Sequence, residues 1–529
     1  MRRPSSALAV LGAVTAACLA QPADGWAETV LRVGSSSDIQ VVDPMFTTAH
    51  PTRDHAYLVY DTLMAVDSDF VARPQMLESY EVADDGMTID FKLRPDLAFH
   101  DGSPVTSKDV VASIRRWAKA DTMAQIAIEY VDTIEPTGDD TFTITMKEPS
   151  GLIIDAMAKP SGNVLFILPE RIADTPNDQQ FTETIGSGPF TFDRDEWIPG
   201  QSRLYRRNEN YVPRDEPQDN LAGAKVPAVD VIEVTIMPDD ATRQAALLAG
   251  EIDYIGNIAH DLVADLRADP DLVVDTRDVR GEQLWLRFNH LVPPFDDKKL
   301  RQAIYWALTQ KEHMGSLIAD EALYEICPSM FGCGTELSTE AGSEALQAKD
   351  LDKARQLVEE SDYAGEPIVF LDTTNHPLLH GANIRSAETL REIGLNVELQ
   401  GIAVATLHQR RAIKAPVAEG GWNIFHTTFA TIDVFNPVVN PAVNTSCAQD
   451  NWPGWPCNEE IEALRRDFVK ATSLEERQRI AAEVQRLAFE HGTHIPLGLF
   501  YKVDAWGKDL TGVEPASVAI LWGIGKQEN

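Results

Sequence analysis

TIDFKLRPDLAFHDGSPVTSKDVVASIRRW, residues 88–117, is the stretch from which the fold can be read. Ile89, Phe91 and Leu93 alternate with Thr88, Asp90 and Lys92, the period of two of a half-buried strand. Pro95 and Asp96 break it, and Asp101-Gly102 makes a tight turn. Thr106 then stands as a helix N-cap with Asp109 three residues on, the spacing of a capping box. Val110, Val111, Ile114 and Trp117 follow at helical spacing. The stretch reads strand, turn, helix.

Its wording is more specific than its pattern. Phe91-x-Leu93-Arg94, then Phe99-His100-Asp101-Gly102, Pro104-Val105-Thr106 and Asp109-Val110 resemble the signature of the extracellular solute-binding proteins of the peptide/nickel class. These are receptors of ABC importers. Four more segments resemble the same class: GSGPF at 186–190, LAGEID at 248–253, FNHLVPPFDDKKLRQA at 288–303 and GWNIFHTTFATIDVFNP at 421–437. The resemblance spans nearly all of residues 30–526. It implies an α/β, two-lobed periplasmic binding protein fold with an extra α+β subdomain in the first lobe and a hinge between the lobes. The implied division is 28–57, 184–283 and 495–529 for the first lobe, 58–183 for the inserted subdomain, and 284–494 for the second lobe.

Composition sets wider bounds. The 529 residues can bury large cores, and their number favours more than one domain. A formal charge of −36 argues against nucleic acid and anionic membrane surfaces as partners. Arg2 and Arg3 precede an apolar run at 7–20 that is too short to span a bilayer, the pattern of a signal peptide. Gly25 and Ala27 suit cleavage before Glu28, so residues 1–27 are expected to be removed and the product to be periplasmic. Cys18 sits in a weak lipoprotein box. Four further cysteines, an even number in an exported chain, favour disulfides, and their grouping suggests Cys327–Cys333 and Cys447–Cys457. Between the second pair, Trp452, Pro453, Trp455 and Pro456 form a rigid loop, a structural element or a cleft rim.

Enzyme signatures are absent from the sequence: there is no GxSxG, HExxH or GxxxxGK[ST]. His376 and His380 are four apart, but Pro377 between them argues against a helical metal pair. No catalytic residue, metal site or cofactor is expected. The resemblance assigns binding instead. Asp433, four residues before Pro437, matches the acid that pairs with a peptide's α-ammonium in the class. The chain departs from the class pattern with Ala430 in place of Trp and Asn423 in place of Asp, which puts peptide recognition in question but not capture in a closed cleft. Trp285 and Arg287, just past the expected hinge, are candidates to stack on a ligand and to pair its carboxylate; His426 is a candidate to approach a ligand or a chelated metal.

The reading is a monomeric receptor that closes on a short peptide or peptide-like solute and hands it to the membrane permease of an ABC transporter. A nickel-chelate or an oligosaccharide is the alternative ligand; a periplasmic hydrolase and a chaperone-like protein are the alternatives outside solute capture.

Overall fold

The structure is a computed structural model and describes residues 28–447, 451–516 and 518–527. The expected signal segment and Cys18 lie outside the described residues.

Three sheets organise the chain. The first has the order Leu272–Asp275, Val503–Gly507, Tyr254–Ile258, Val30–Ser35, Val231–Ile236, Ser202–Arg207, Phe190–Phe192. Its middle is parallel, with Val30 opposite Val231 and Val33 opposite Tyr254. Parallel neighbours need crossover connections, here supplied partly by the helix Asp240–Leu248. The second sheet has the order Tyr324–Glu325, His494–Phe500, Glu282–Phe288, Ile424–Ala430, Ile368–Thr373, Val397–Ile402. The third is antiparallel, Leu77–Val82, Thr88–Leu93, Thr141–Met146, Val131–Pro136.

The stretch 88–117 folds as its pattern requires. Ile89, Phe91 and Leu93 are buried, and Phe91 stacks on Phe142 of the neighbouring strand at 4.5 Å. Asp109 Oδ2 accepts from Thr106 N at 2.8 Å and from Thr106 Oγ1 at 2.7 Å, fixing the start of the helix Ser107–Trp117. Trp117 is fully buried and donates to the Asn163 carbonyl at 2.8 Å. The Gly-Ser-Gly turn is a packing device. A Cβ at Gly186 would lie 2.0 Å from the Val59 carbonyl oxygen.

The chain crosses between the first and second sheets twice, through residues 276–281 and through Tyr501 and Lys502. The first crossing falls next to the expected position. The second does not. The whole strand His494–Phe500 pairs with Glu282–Phe288, so residues 495–500 belong to the second sheet and the return lies at 501–502. A helix runs over Pro377–Glu392. Pro377 opens it, where a missing N–H costs nothing. His376 is its N-cap, and His380 pairs with Asp372 at 2.8 Å.

Both expected disulfides are formed, Cys327–Cys333 with Cα atoms 5.7 Å apart and Cys447–Cys457 with Cα atoms 4.6 Å apart. Among the described residues no helix is long and apolar enough to cross a membrane.

Candidate ligand-binding cleft

A cavity of about 1060 Å³ lies where the sheets meet, and residues from both sides of the two crossings line it. The first side contributes His50, Lys159 and Ser161; the second contributes Arg411, Asp433 and Trp452. Glu282, which follows the first crossing, and Lys502, in the second, line it as well and form an ion pair with one another.

Asp433 sits on the short turn Thr431–Val434 that follows the strand Ile424–Ala430. This turn is fastened to the first crossing: Thr431 N donates to Gly281 O at 3.0 Å and Thr431 Oγ1 to Arg280 O at 2.7 Å. The carboxylate keeps access to the cavity but has protein on every other side. That burial raises its pKa, against the hydrogen-bonding influence of Ser161 and the charges of Arg53 and Lys159.

The neighbouring charges are already matched. Arg53 gives Nε and Nη2 to Asp54 Oδ1 at 2.9 and 2.8 Å, and Nη1 to Ser161 Oγ at 3.0 Å. Lys159 pairs with Asp121, and Lys502 with Glu282. His50 is held neutral: the Arg53 charge, then burial, pulls its pKa down to about 3. Asp433 forms no ion pair among the described residues, so it is the surplus acid of the inner wall.

The other expected site residues lie in the core. Trp285 is fully buried on the central strand Glu282–Phe288 and donates to Gln283 Oε1 at 2.8 Å. It stacks between Phe429 at 4.6 Å and His494 at 4.5 Å. Arg287 is also fully buried. It donates to the carbonyls of Pro453 at 2.9 Å, Ala442 at 3.0 Å and Thr493 at 2.9 Å, and burial lowers its pKa to about 9. Neither lines the cavity, because the face on which each side chain lies is covered by these neighbours. His426 is buried as well, far from a ligand's reach, with Nδ1 donating to Asn383 Oδ1 at 2.8 Å and Nε2 3.2 Å from Ser386 Oγ. His313 Nε2 lies 2.9 Å from the same hydroxyl, while its Nδ1 donates to Thr309 O at 3.0 Å. With both Nδ1 atoms protonated, two ring nitrogens compete for one hydroxyl hydrogen, a structural role and not a metal site. Among the described residues no group of three His, Cys, Asp or Glu side chains converges as a metal site.

The sequence reading missed Ser161, Lys159, Glu282, Lys502 and Arg411. It held the Trp452 loop as a structural element or a cleft rim, and Trp452 lines the cavity.

Two lobes joined by two crossing segments around a cavity define a solute-binding receptor. The profile of the bacterial extracellular solute-binding proteins, family 5 (middle region), matches residues 72–442, and the chain belongs to that family. It is 37% identical over 492 residues, covering 92% of each chain, to a protein of Sinorhizobium fredii described as a probable peptide ABC transporter periplasmic-binding protein. It is 23% identical over 517 residues to the glutathione-binding protein GsiB of Salmonella typhi, covering 96% of this chain and 95% of GsiB. Among solved structures, the substrate-binding protein CtaP of Listeria monocytogenes superposes with a TM-score of 0.79 at 20% identity, over 95% of this chain and all of that one. The Helicobacter pylori binding protein DppA, in complex with the peptide STSA, superposes with a TM-score of 0.76 at 19% identity, over 95% of this chain and 99% of that one. These two confirm the two-lobed α/β fold.

Proposed function

We propose that this receptor captures a small amine-bearing solute, a short peptide or peptide-like compound, with Asp433 as the partner of its ammonium group. One observation carries the reading: Asp433 is an unpaired, partly desolvated carboxylate in the cavity wall, while Lys159, Lys502 and Arg53 each already have a carboxylate. A cationic amine entering the cavity meets in Asp433 a buried acid that has no ion pair among the described residues, and a charge-assisted bond away from water is strong. The volume, at the upper end of small-molecule pockets, suits a ligand larger than a single amino acid. The S. fredii relative's description supports a peptide.

In this reading the lobes are residues 28–281 with 503–529 and residues 282–502, residues 58–183 are a subdomain of the first, and ligand capture brings the lobes together about the two crossings. The protein works outside the inner membrane after loss of residues 1–27, as a monomer that delivers its solute to an ABC permease. It is a carrier and not a catalyst.

Native mass spectrometry of protein purified from its own host, followed by titration with the recovered solute and its N-acetylated form, tests this. Retention of an amine-bearing solute, weakened by acetylation, is the expected result. Equal binding of the acetylated form rules out Asp433 as an ammonium site.

A further inference from the structure

Arg411 caps the helix Val404–Arg410 and lines the same cavity as Asp433. The other two lysine or arginine side chains of that wall, Lys159 and Lys502, each have a carboxylate. The Arg411 guanidinium has neither an ion pair nor a hydrogen bond among the described residues. It rests instead on aromatic rings, 5.2 Å from the centre of Trp452 and 5.9 Å from that of Phe425.

We propose that Arg411, laid against Trp452, is an anion subsite of the cleft that receives a carboxylate of the solute. The inference deepens the functional reading above and rests on it for the solute's other end. A partly buried guanidinium without a counterion bears a desolvation cost that the aromatic rings offset only in part and that no carboxylate among the described residues repays. Burial lowers its pKa, and no carboxylate of the described chain acts against that. Stacking on an aromatic ring occupies a flat face of the guanidinium and leaves its edge, a planar fork of N–H donors, for a bidentate acceptor. A carboxylate has that geometry.

The platform under Arg411 is held firmly. Phe429 meets the Trp452 ring edge to face at 5.4 Å and Phe425 lies at 5.7 Å. Arg287 stands 5.1 Å from the same ring and anchors the next residue by donating to Pro453 O at 2.9 Å. The disulfide Cys447–Cys457 closes the loop around it. The aromatic and arginine pair that the sequence suggested at Trp285 and Arg287 is therefore present in the cavity as Trp452 and Arg411. The cavity then has a surplus acid and a surplus base, and a zwitterion is the ligand that matches both.

The test is calorimetric titration with four probes: trialanine, its C-terminal amide, its N-acetyl derivative, and the amide of Ala-Asp-Ala, whose only carboxylate is on a side chain. The wild type should bind trialanine roughly ten- to a hundred-fold more tightly than its amide, the range of a hydrogen-bonded charge. Arg411→Met should bind both alike while melting, without probe, no lower than the wild type. Preference for the Ala-Asp-Ala amide over the trialanine amide assigns the subsite to a side-chain carboxylate. Preference for trialanine alone assigns it to the chain terminus. Equal binding of the acid and both amides by the wild type, or discrimination that survives in Arg411→Met, overturns the subsite and leaves the amine reading standing. Equal binding of trialanine and its N-acetyl form overturns the amine reading and leaves the subsite. Binding of no probe at all overturns both.

Discussion

Arg477 Nη1 meets Asp155 Oδ2 at 2.8 Å, joining the helix Leu474–His491 of the second lobe to the helix Leu152–Ala158 of the inserted region. Two more contacts flank it: Ser150 Oγ donates to Val469 O at 3.0 Å, and Lys470 lies 3.2 Å from Glu148. Lys159 and Ser161, which line the cavity, follow the same short helix. Closing this contact therefore brings cavity residues and clasp into place together. Arg477→Met should speed release of a bound solute by roughly fivefold, the effect of about 1 kcal/mol from a partly exposed pair. The exchanged pair Asp155→Arg with Arg477→Asp should recover part of it. Stopped-flow release kinetics measures both, and unchanged rates would show that the clasp adds nothing.

Asp433→Asn keeps the shape of the side chain and removes its charge. Affinity for an amine-bearing solute should fall by about 2–5 kcal/mol, the range for losing one partner of a buried charge pair. The unliganded protein should melt at the same temperature or higher, because burial already disfavours the ionised form, as the raised pKa records. Paired titration and thermal melts check the two halves separately. A clear drop in the melting temperature would make Asp433 a structural acid.

His313 gives a pH dependence of definite sign. Burial lowers its pKa to about 4 in the folded protein. In the unfolded chain it titrates near the ordinary value of about 6.5. As pH falls through 6.5 the unfolded chain takes up a proton that the folded chain refuses. Its contribution is thus complete above that pH and is lost progressively down to about pH 4, with up to about 3 kcal/mol at stake. Denaturant midpoints of the wild type and His313→Gln across this window should diverge in slope. Parallel slopes would show that His313 titrates alike in the folded and unfolded states.

The two disulfides should differ in their effects. Each closes a short loop, with sequence separations of 6 and 10 residues, and replacing either pair by serine should cost roughly 2–3 kcal/mol of stability. Only the Cys447–Cys457 loop carries a cavity residue, Trp452. Removing that pair should also weaken solute binding, whereas removing Cys327–Cys333 should leave it unchanged. Titration of both double variants in their folded range decides it.

What could be read from the sequence followed the reach of each signal. The strand at 88–93 and the helix after it were legible because their information is local, in alternation and a cap. Asp433 was placed in the cavity wall by its segment. Trp285 and Arg287 were misread, although a signal was present: Leu284, Trp285, Leu286 and Phe288 form a nearly continuous apolar run, the mark of a strand covered on both faces. The return to the first lobe was expected at 495, but the apolar run from His494 is interrupted near Lys502, and that interruption is where the chain changes sheet. Arg411 lies in a polar stretch without periodicity. Its meaning depends on Trp452, forty-one residues further on, and only the fold brings the two together.

The ion pair of Glu282 with Lys502 ties together the two crossings by which the described chain passes between the lobes. Under rotation, an atom's travel is proportional to its distance from the axis. If one lobe swings on the other about these crossings, Glu282 and Lys502 stand almost on the pivot, while the clasp at Asp155 and Arg477 closes only at the end of the stroke. The solute then rests on a stationary bearing while jaws travel toward it. First touch and final grip draw on different side chains, so substitutions at the bearing should register in how fast a solute is caught, and substitutions at the jaws in how long it is kept.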